Sequence, residues 1–386
     1  MQQKVAITAC SSISPLGNNP EKIWENYQAN QHFFIEKEWK DTKALVAEID
    51  PASKERIEIL RDSDTKYKSL DNSVLFAIEA SRQAIRKAGW TKTDVFGINI
   101  GSSRGATALF EKHFQDYLTT GKVQTLASPT TTLGNISSWV AHDLQSHGPE
   151  ISHSITCSTA LHAVLNGVAW LRAGMAQKFL TGGSEAPLTG FTIAQMQALK
   201  IYAKGEQEFP NRAMDFEKNK NTLILGEGAA VCCLEVGEPQ NALAYIEGVG
   251  YATEILEHNI SISAEADCFQ KSMKMALQDT PLTEVDVIVM HAPGTIRGDL
   301  TEMRAIKKVF GIITIPLLTT NKWKIGHTFG ASGMLSIEMA LLMMQHNQFL
   351  PVPFAMQQKA KRPIEKILIN AVGFGGNAVS ILLRRA

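Results

Sequence analysis

The chain has no surplus of either charge: 38 Lys and Arg stand against 38 Asp and Glu in 386 residues. A surface built for nucleic acid or an anionic bilayer leaves a basic excess, so the composition speaks against both kinds of partner. Cysteine is scarce as well. The five, at positions 10, 157, 232, 233 and 268, are odd in number and follow no framework spacing, and Cys232 and Cys233 sit inside the apolar run from Ala229 to Leu234 as buried strand thiols would. That points to a reducing compartment. Long apolar stretches are missing too: none approaches the ~20 residues of a membrane span. The opening Met-Gln-Gln-Lys-Val-Ala-Ile-Thr is too short an apolar run for a signal peptide. The expectation is a cytoplasmic protein with no membrane and no nucleic acid among its partners, long enough for two domains or one duplicated unit.

Charge is also absent, locally, from Ile151 to Leu171. Apolar residues crowd that stretch (Ala160, Leu161, Ala163, Val164, Leu165, Val168), which predicts a helix buried all round. Ser154, Thr156, Ser158 and Thr159 supply hydroxyls where such a helix would begin, placing Cys157 at or near its N-terminus. A thiol there feels the free backbone N–H groups, which favour the thiolate and can hold an oxyanion. The plain alternative is a buried cysteine packing as a small hydrophobe.

Along the chain, helix and strand signals alternate, the mark of an α/β fold. Val5 to Ile7 reads as a first strand, Ser14-Pro15-Leu16-Gly17 as a turn, and a helix starts near Pro20. The segment from Gln31 to Thr65 is charged and irregular and predicts surface structure only. A helix from Ser73 to Ala88 closes on Gly89 and hands over to a strand from Val95 to Ile100. Phe179 to Gly183 and Gly226 to Val231 read as further strands, and the Gly-Glu-Pro-Gln-Asn cluster at 237–241 as a boundary between residues 1–240 and 241–386. The second part repeats features of the first. Ala84-Ile85 stands ten residues before Asp94-Val95, and Ala276-Leu277 ten before Asp286-Val287; Cys157 precedes Phe179 by 22 residues, and His327 precedes Phe349 by 22. Two related halves would place Cys157 and His327 at equivalent helix starts, close to one another across a pseudo-twofold axis.

Three segments carry side chains able to meet the thiol. The strand from Val285 to Met290 ends at His291, followed by Gly294-Thr295, Asp299 and Glu302, and a histidine leaving a buried strand points to the carboxyl edge of a sheet, where such folds place ligands. The second runs from Asn321-Lys322 to Gly326-His327 and opens a small-residue helix from Met334 to Met344. The third, Val372-Gly373-Phe374-Gly375-Gly376-Asn377, is either a tight turn before the last strand, Val379 to Leu383, or a second source of an oxyanion N–H.

Taken together, these residues resemble the β-ketoacyl-acyl carrier protein synthases, condensing enzymes of the thiolase fold of the Cys-His-His type. Cys157 at a small-residue helix start, His291 to Thr295, Lys322 five residues ahead of His327, and the Gly-Phe-Gly-Gly turn at 373–376 agree in order over nearly the whole chain. The resemblance implies a duplicated α/β fold in five layers, α-β-α-β-α, with the thiol in the half spanning 1–240 and the two histidines in 241–386. It implies that an acyl group rides on Cys157 while His291 and His327 stabilise an enolate from a malonyl thioester, the partner being an acyl carrier protein bearing phosphopantetheine-linked acyl and malonyl groups. Lys322, with Glu302, would orient the first histidine, and Asp299 would hold the network around it. Cys157 and Phe374 would supply oxyanion N–H groups, Phe374 would gate the acyl pocket, and Thr295, Gly373 and Gly375 would contact substrate. No cofactor and no metal are implied.

The sequence departs from the family at Ala292 and Pro293, where Gly and Thr are usual, at Val372, where a second Phe is usual, and at Asn377-Ala378 in place of Thr-Asn. These changes argue for a divergent member, from a polyene, pigment or polyketide pathway rather than housekeeping fatty-acid elongation. A degradative thiolase would need a second cysteine between 372 and 378, and an initiating synthase an asparagine at His327. The alternative is a non-elongating, chain-length-factor-like partner subunit of a synthase heterodimer; its usual mark is loss of the nucleophile, and Cys157 is present. A metal site of Cys157 with His142, His147, His153 and His162 fits no common ligand spacing. A dimer, with itself or with a paralogue, is expected, and Lys66, Lys68, Lys204, Lys218 and Lys220 are candidates to meet an acidic carrier.

Overall fold

A computed structural model of the chain describes residues 3–40, 42–133, 135–205, 207–255, 262–355 and 359–386. Ten strands form the main sheet: β1 (Val5–Ile13), β2 (Gly97–Gly101), β3 (Glu150–Ile151), β4 (Lys178–Glu185), β5 (Gly228–Val236), β6 (Ala244–Thr253), β7 (Val287–Val289), β8 (Leu317–Thr319), β9 (Lys366–Gly373) and β10 (Asn377–Arg385). Six helices flank it: α1 (Asn72–Ala88), α2 (Asn135–Leu144), α3 (Thr159–Arg172), α4 (Asp267–Leu277), α5 (Ile296–Phe310) and α6 (Ser332–His346). Across the sheet the order is β3-β2-β4-β5-β1 followed by β6-β10-β9-β7-β8. Each half, read inward from its edge, pairs parallel, parallel, antiparallel, antiparallel. The same order and the same polarity occur twice, and the halves meet where β1 pairs with β6 at Ala6 with Tyr245 and Ile7 with Ala244.

Alternate residues of each strand face different cores, as the two-residue period of a strand requires. Ile7, Phe179, Leu234, Val289, Ile369 and Ile381 point inward onto α3 and α6. Ile98, Leu180 and Val231 face α1 and α2, whereas Ile288, Leu368 and Leu382 face α4 and α5. The layering is therefore α-β-α-β-α, with α3 and α6 at the centre. They come close because residue 333 has no side chain: a Cβ there would lie 2.7 Å from Leu161 Cγ.

Local signals account for several boundaries. Asn19 accepts from Lys22 N–H to cap the helix Pro20–Gln28, and Asp71 accepts from Ser73 N–H to cap α1, which Gly89 ends at φ 72°. Other expectations fail for physical reasons. Residues 31–65 hold more than surface structure: a hairpin of Ile35–Trp39 with Thr42–Ala47, and a helix Pro51–Asp62 that buries Ile57 and Leu60. Its charges blurred the period because Lys37 and Lys54 both pair with Glu48 across these elements. The helix Thr107–Thr120 buries none of its side chains and so carries no amphipathic signature to read. β1 runs to Ile13 because Thr8, Ser11 and Ser12 are buried despite their hydroxyls. The 22-residue match also overreaches. α3 and α6 do correspond, but Phe349 and Leu350 lie outside any strand, and the counterpart of β4 is β9.

Candidate active site

Cys157 lies two residues ahead of α3, in a turn stitched by hydroxyls. Thr159 Oγ1 donates to Thr156 O at 2.6 Å and accepts from Ile155 N–H at 2.9 Å, while Ser158 Oγ donates to Ile155 O at 2.9 Å. These hydroxyls serve the turn and make no side-chain cap on α3. Thr156 takes φ +47°, a strained setting for a β-branched residue that immediately precedes the thiol.

The acidity of Cys157 runs opposite to expectation. Burial pushes the thiol up to about 12, Glu185 adds to the rise, and Lys322 and Arg104 oppose it. With Cys157 only 6% exposed, desolvation of a thiolate outweighs the helix-terminus field, so the resting group is the neutral thiol. Glu185, at the end of β4, is a neighbour that no sequence motif announced. Its carboxylate accepts from the N–H groups of Ser103 and of Gly330, the latter at 3.1 Å, and burial raises it to about 7.

His291 follows β7, and Glu302 on α5 grips the backbone there: its two oxygens accept from the N–H groups of His291 at 2.9 Å and Ala292 at 2.8 Å. Asp299, one turn earlier on α5, accepts from Gly294 N–H and Met214 N–H, both at 3.0 Å, and from Lys218 Nζ at 2.6 Å. Thr295 accepts from Gly298 N–H at 3.1 Å and caps α5. Lys218 is buried in this ion pair and is not a surface residue open to a carrier. From the other side Asn221 Oδ1 accepts from Ile296 N–H at 2.9 Å, and Thr222 N–H donates to Gly294 O at 2.9 Å. Nothing in the spacing around 211–222 marked these contacts, since their partners lie some 70 residues away.

Lys322 is 1% exposed, and its Nζ donates to Asn321 Oδ1 at 3.4 Å. Burial lowers it to about 8, against the pull of Glu302, Cys157 and Asp299. Glu302 thus holds the backbone at His291 and Lys322 holds Asn321; Nδ1 of His291 and of His327 is buried with no hydrogen bond among the described residues. His327 is fixed through its main chain, donating N–H to Ile224 O at 2.7 Å and accepting from Gly226 N–H at 3.1 Å. The two rings meet edge to face, with centroids 5.2 Å apart and planes at 84°. Burial and the Lys322 charge lower His327 to about 3, and burial with His327 and Lys322 holds His291 well below its ordinary value. Both imidazoles are therefore neutral near pH 7, each with one N–H to donate.

Cys157, His291 and His327 line one cavity of about 260 Å³, together with Thr295, Val372, Gly373, Phe374 and an apolar wall of Met196, Leu199, Ile201 and Leu223. The turn at 373–376 reaches the thiol only because residue 373 is glycine: a Cβ there would sit 1.8 Å from Thr156 Oγ1 and 2.8 Å from Ile155 O. Gly373→Ala must push the two segments apart, and a displacement of about 1 Å costs roughly a hundredfold in rate. Intact-protein mass spectrometry is expected to show acylation of Cys157 slowed by that order while the variant keeps its circular dichroism spectrum. Phe374 is 40% exposed at the cavity's edge. Of the other histidines, His153 Nδ1 pairs with Asn99 Nδ2 at 2.9 Å and His162 Nδ1 with Ser158 O at 3.1 Å. No cluster of three His, Cys, Asp or Glu able to hold a metal occurs among the described residues.

A duplicated sheet that presents a thiol and two imidazoles to one crevice defines an acyltransferase of the thiolase fold. The models for the beta-ketoacyl synthase N-terminal and C-terminal domains match residues 2–239 and 243–354. The chain belongs to the β-ketoacyl synthase family. It is 27% identical to the 3-oxoacyl-(acyl-carrier-protein) synthase 2 of Coxiella burnetii, covering 100% of this chain and 99% of that one. The protein of the same name from Staphylococcus aureus strain COL is 25% identical over 99% and 98%. Among solved structures, a beta-ketoacyl synthase from Burkholderia phymatum superposes with a TM-score of 0.86 at 22% identity, and the ishigamide ketosynthase/chain length factor with 0.86 at 20%, both covering all of either chain. Among the described residues no helix is long and apolar enough to cross a membrane.

Proposed function

We propose that this chain makes a carbon–carbon bond by decarboxylative Claisen condensation, joining an acyl group held on Cys157 to a malonyl thioester carried by the phosphopantetheine arm of an acyl carrier protein. One observation carries this reading: Cys157, His291 and His327 line the same cavity. Cys157 Sγ attacks the acyl thioester and expels the carrier thiol. The malonyl carboxylate leaves as CO2, and the enolate oxygen accepts from the neutral imidazoles of His291 and His327, donors placed where charge develops. The enolate carbon then attacks the acyl carbon, and in this scheme the N–H groups of Cys157 and Phe374, both lining the cavity, take up the oxyanion. Asp299 and Glu302 keep the His291 loop in place, Lys322 supplies positive charge beside the thiol, and Thr295, Gly373 and Gly375 border the pantetheine arm. In this scheme residues 1–240 carry the thiol and residues 241–386 the imidazoles, in the cytoplasm, where carrier and malonyl thioester occur. The test is turnover of a panel of acyl and malonyl carriers: a β-ketoacyl thioester with one CO2 per bond supports the reading, and none with any carrier overturns it.

A dimer fits the helix Thr107–Thr120, where Phe110, Phe114, Tyr117 and Leu118 are all exposed. Pairing with a chain-length factor is the second reading, since solved ketosynthases of this fold include such complexes. In that arrangement this chain keeps the thiol and is the elongating subunit.

The charge on Lys322 sets an alkaline limit. Its ordinary value of 10.5 falls to about 8, so between these values the folded protein has lost an ammonium that the unfolded chain retains. Turnover is therefore expected to fall as pH rises past 8, by about tenfold per unit. Lys322→Met should be slow throughout and lack that limb. A wild-type profile flat to pH 10 would contradict the assignment.

A further inference from the structure

Condensation leaves the enzyme one proton short. CO2 leaves neutral, so the charge of the malonyl carboxylate passes to the enolate; as the new C–C bond forms, the C–S bond to Cys157 breaks with its electron pair on sulfur, the charge ends there, and Cys157 Sγ must take up one H⁺. Burial makes the thiol the favoured form, so the C–S bond opens readily only if that proton arrives as the sulfur leaves. The cavity at Cys157 is a poor path for it, because at about 260 Å³ it is filled in this scheme by the acyl group and the pantetheine arm at that moment.

A second cavity, of about 520 Å³, opens on a different face. Glu21, Lys87 and Gln345 stand at its exposed rim, and Glu338 of α6 lines it at 6% exposure. Glu338 Oε2 has no hydrogen bond among the described residues, and neither do the buried Ser12 Oγ, Tyr27 Oη and Asn321 Nδ2. Glu338 faces Ser12, and Tyr27 faces Asn321, near enough to alter one another's acidity without closing a bond of normal geometry; Tyr27 also feels Glu338. Asn321 Oδ1 accepts from Lys322 Nζ, and Lys322 lies in the field of Cys157. Lys324 Nζ donates to Asn26 O and Gln31 O, both at 2.9 Å, which ties the helix bearing Tyr27 to the segment bearing Lys322. Two facing polar pairs at this depth, Glu338 with Ser12 and Tyr27 with Asn321, lie between an open cavity and a buried ammonium without a bond of normal geometry, a setting in which bound water completes the contacts.

We infer that Glu338, Tyr27 and Asn321 line a water-bearing proton route from the second cavity to Lys322, whose ammonium protonates Cys157 Sγ as the C–S bond breaks. Lys322 becomes the neutral amine and Cys157 the thiol; one H⁺ from solvent, passed through the Glu338 carboxyl and bound water, restores the ammonium. The other titratable groups around Glu338 are Cys10 on β1, Tyr27 on the first helix and Lys87 on α1, with Glu21 at the rim. Glu338 and Tyr27 touch no substrate in this scheme. The inference rests on the condensing reaction proposed above.

The test separates loading from discharge on the full-length protein, with octanoyl-pantetheine to acylate Cys157 and malonyl-pantetheine to discharge it. Glu338→Gln and Tyr27→Phe are each expected to slow discharge about tenfold or more at pH 8 in every turnover after the first, when Lys322 must have been recharged through the route. Loading, which moves no net proton, is expected to stay within about twofold of wild type, and discharge to recover toward wild type at pH 6. Tyr27→Phe serves as the readout if Glu338→Gln does not fold. Discharge at the wild-type rate in the variants overturns the route, as does an equal loss in both half-reactions, which would mark a purely structural role. A wild-type protein that loads but never discharges would instead overturn the condensing reading.

Discussion

Cys157→Ala is expected to lose the acyl adduct entirely and to lower condensation by about ten-thousandfold, since removing the nucleophile of a covalent mechanism leaves only binding and oxyanion contacts. The measurement is peptide mass mapping after incubation with an acyl thioester. The other four cysteines serve as internal controls: Cys232, Cys233 and Cys268 are buried in the strand and helix cores, and Cys10 lies in the second cavity. An adduct that persists on the variant would remove Cys157 from the chemistry. Cys157→Ser should fold as well as wild type and load at a small fraction of its rate, because a hydroxyl in this desolvated pocket is harder still to ionise.

Loss of either imidazole is expected to divide the reaction. His327→Ala and His291→Ala should each reduce decarboxylation by about a hundred- to a thousandfold, the usual cost of removing one donor from a developing oxyanion. Loading of Cys157 should survive in both. CO2 release from a malonyl thioester checks the first statement and the mass of the acylated protein the second. The rings are neutral and act here only as donors, so His327→Asn, which keeps an N–H, should recover part of the loss. If His327→Asn were as slow as His327→Ala, or if loading collapsed along with decarboxylation, proton transfer rather than donation would be the ring's task.

Much of this was legible in the amino-acid order because the relevant signals are local. A cap such as Asp71, a stop such as Gly89, and an uncharged stretch such as 151–171 each act within a few residues, and they located α1 and α3 to within one to eight residues. The duplication was legible at its centre, where α3 and α6 share the packing that fixes their composition, and illegible at its edge, where Phe349 fell in register with Phe179 by chance of spacing. What escaped is whatever depends on groups distant along the chain. The acidity of Cys157 is set by burial together with Glu185 and Lys322, and no pattern around residue 157 reports either. The resemblance has Glu302 orienting the first histidine; that its carboxylate grips the backbone N–H groups of His291 and Ala292 is a detail that only geometry supplies. The pairing of Ile35–Trp39 with Thr42–Ala47 was hidden by the charges that hold it down.

The pairing of β1 with β6 has a further consequence, for the history of the chain as it leaves the ribosome. Until residues 244–245 emerge, Ala6 and Ile7 present an open strand edge, and until α6 follows, the flank of α3 that meets it is left uncovered. A nascent chain halted near residue 240 would therefore expose a sticky ribbon and an oily ridge at once, the combination that drives edge-to-edge association. Polypeptides truncated at that boundary should accumulate in inclusion bodies or remain with chaperones, and co-expression of the missing piece in trans should draw some of them back into solution.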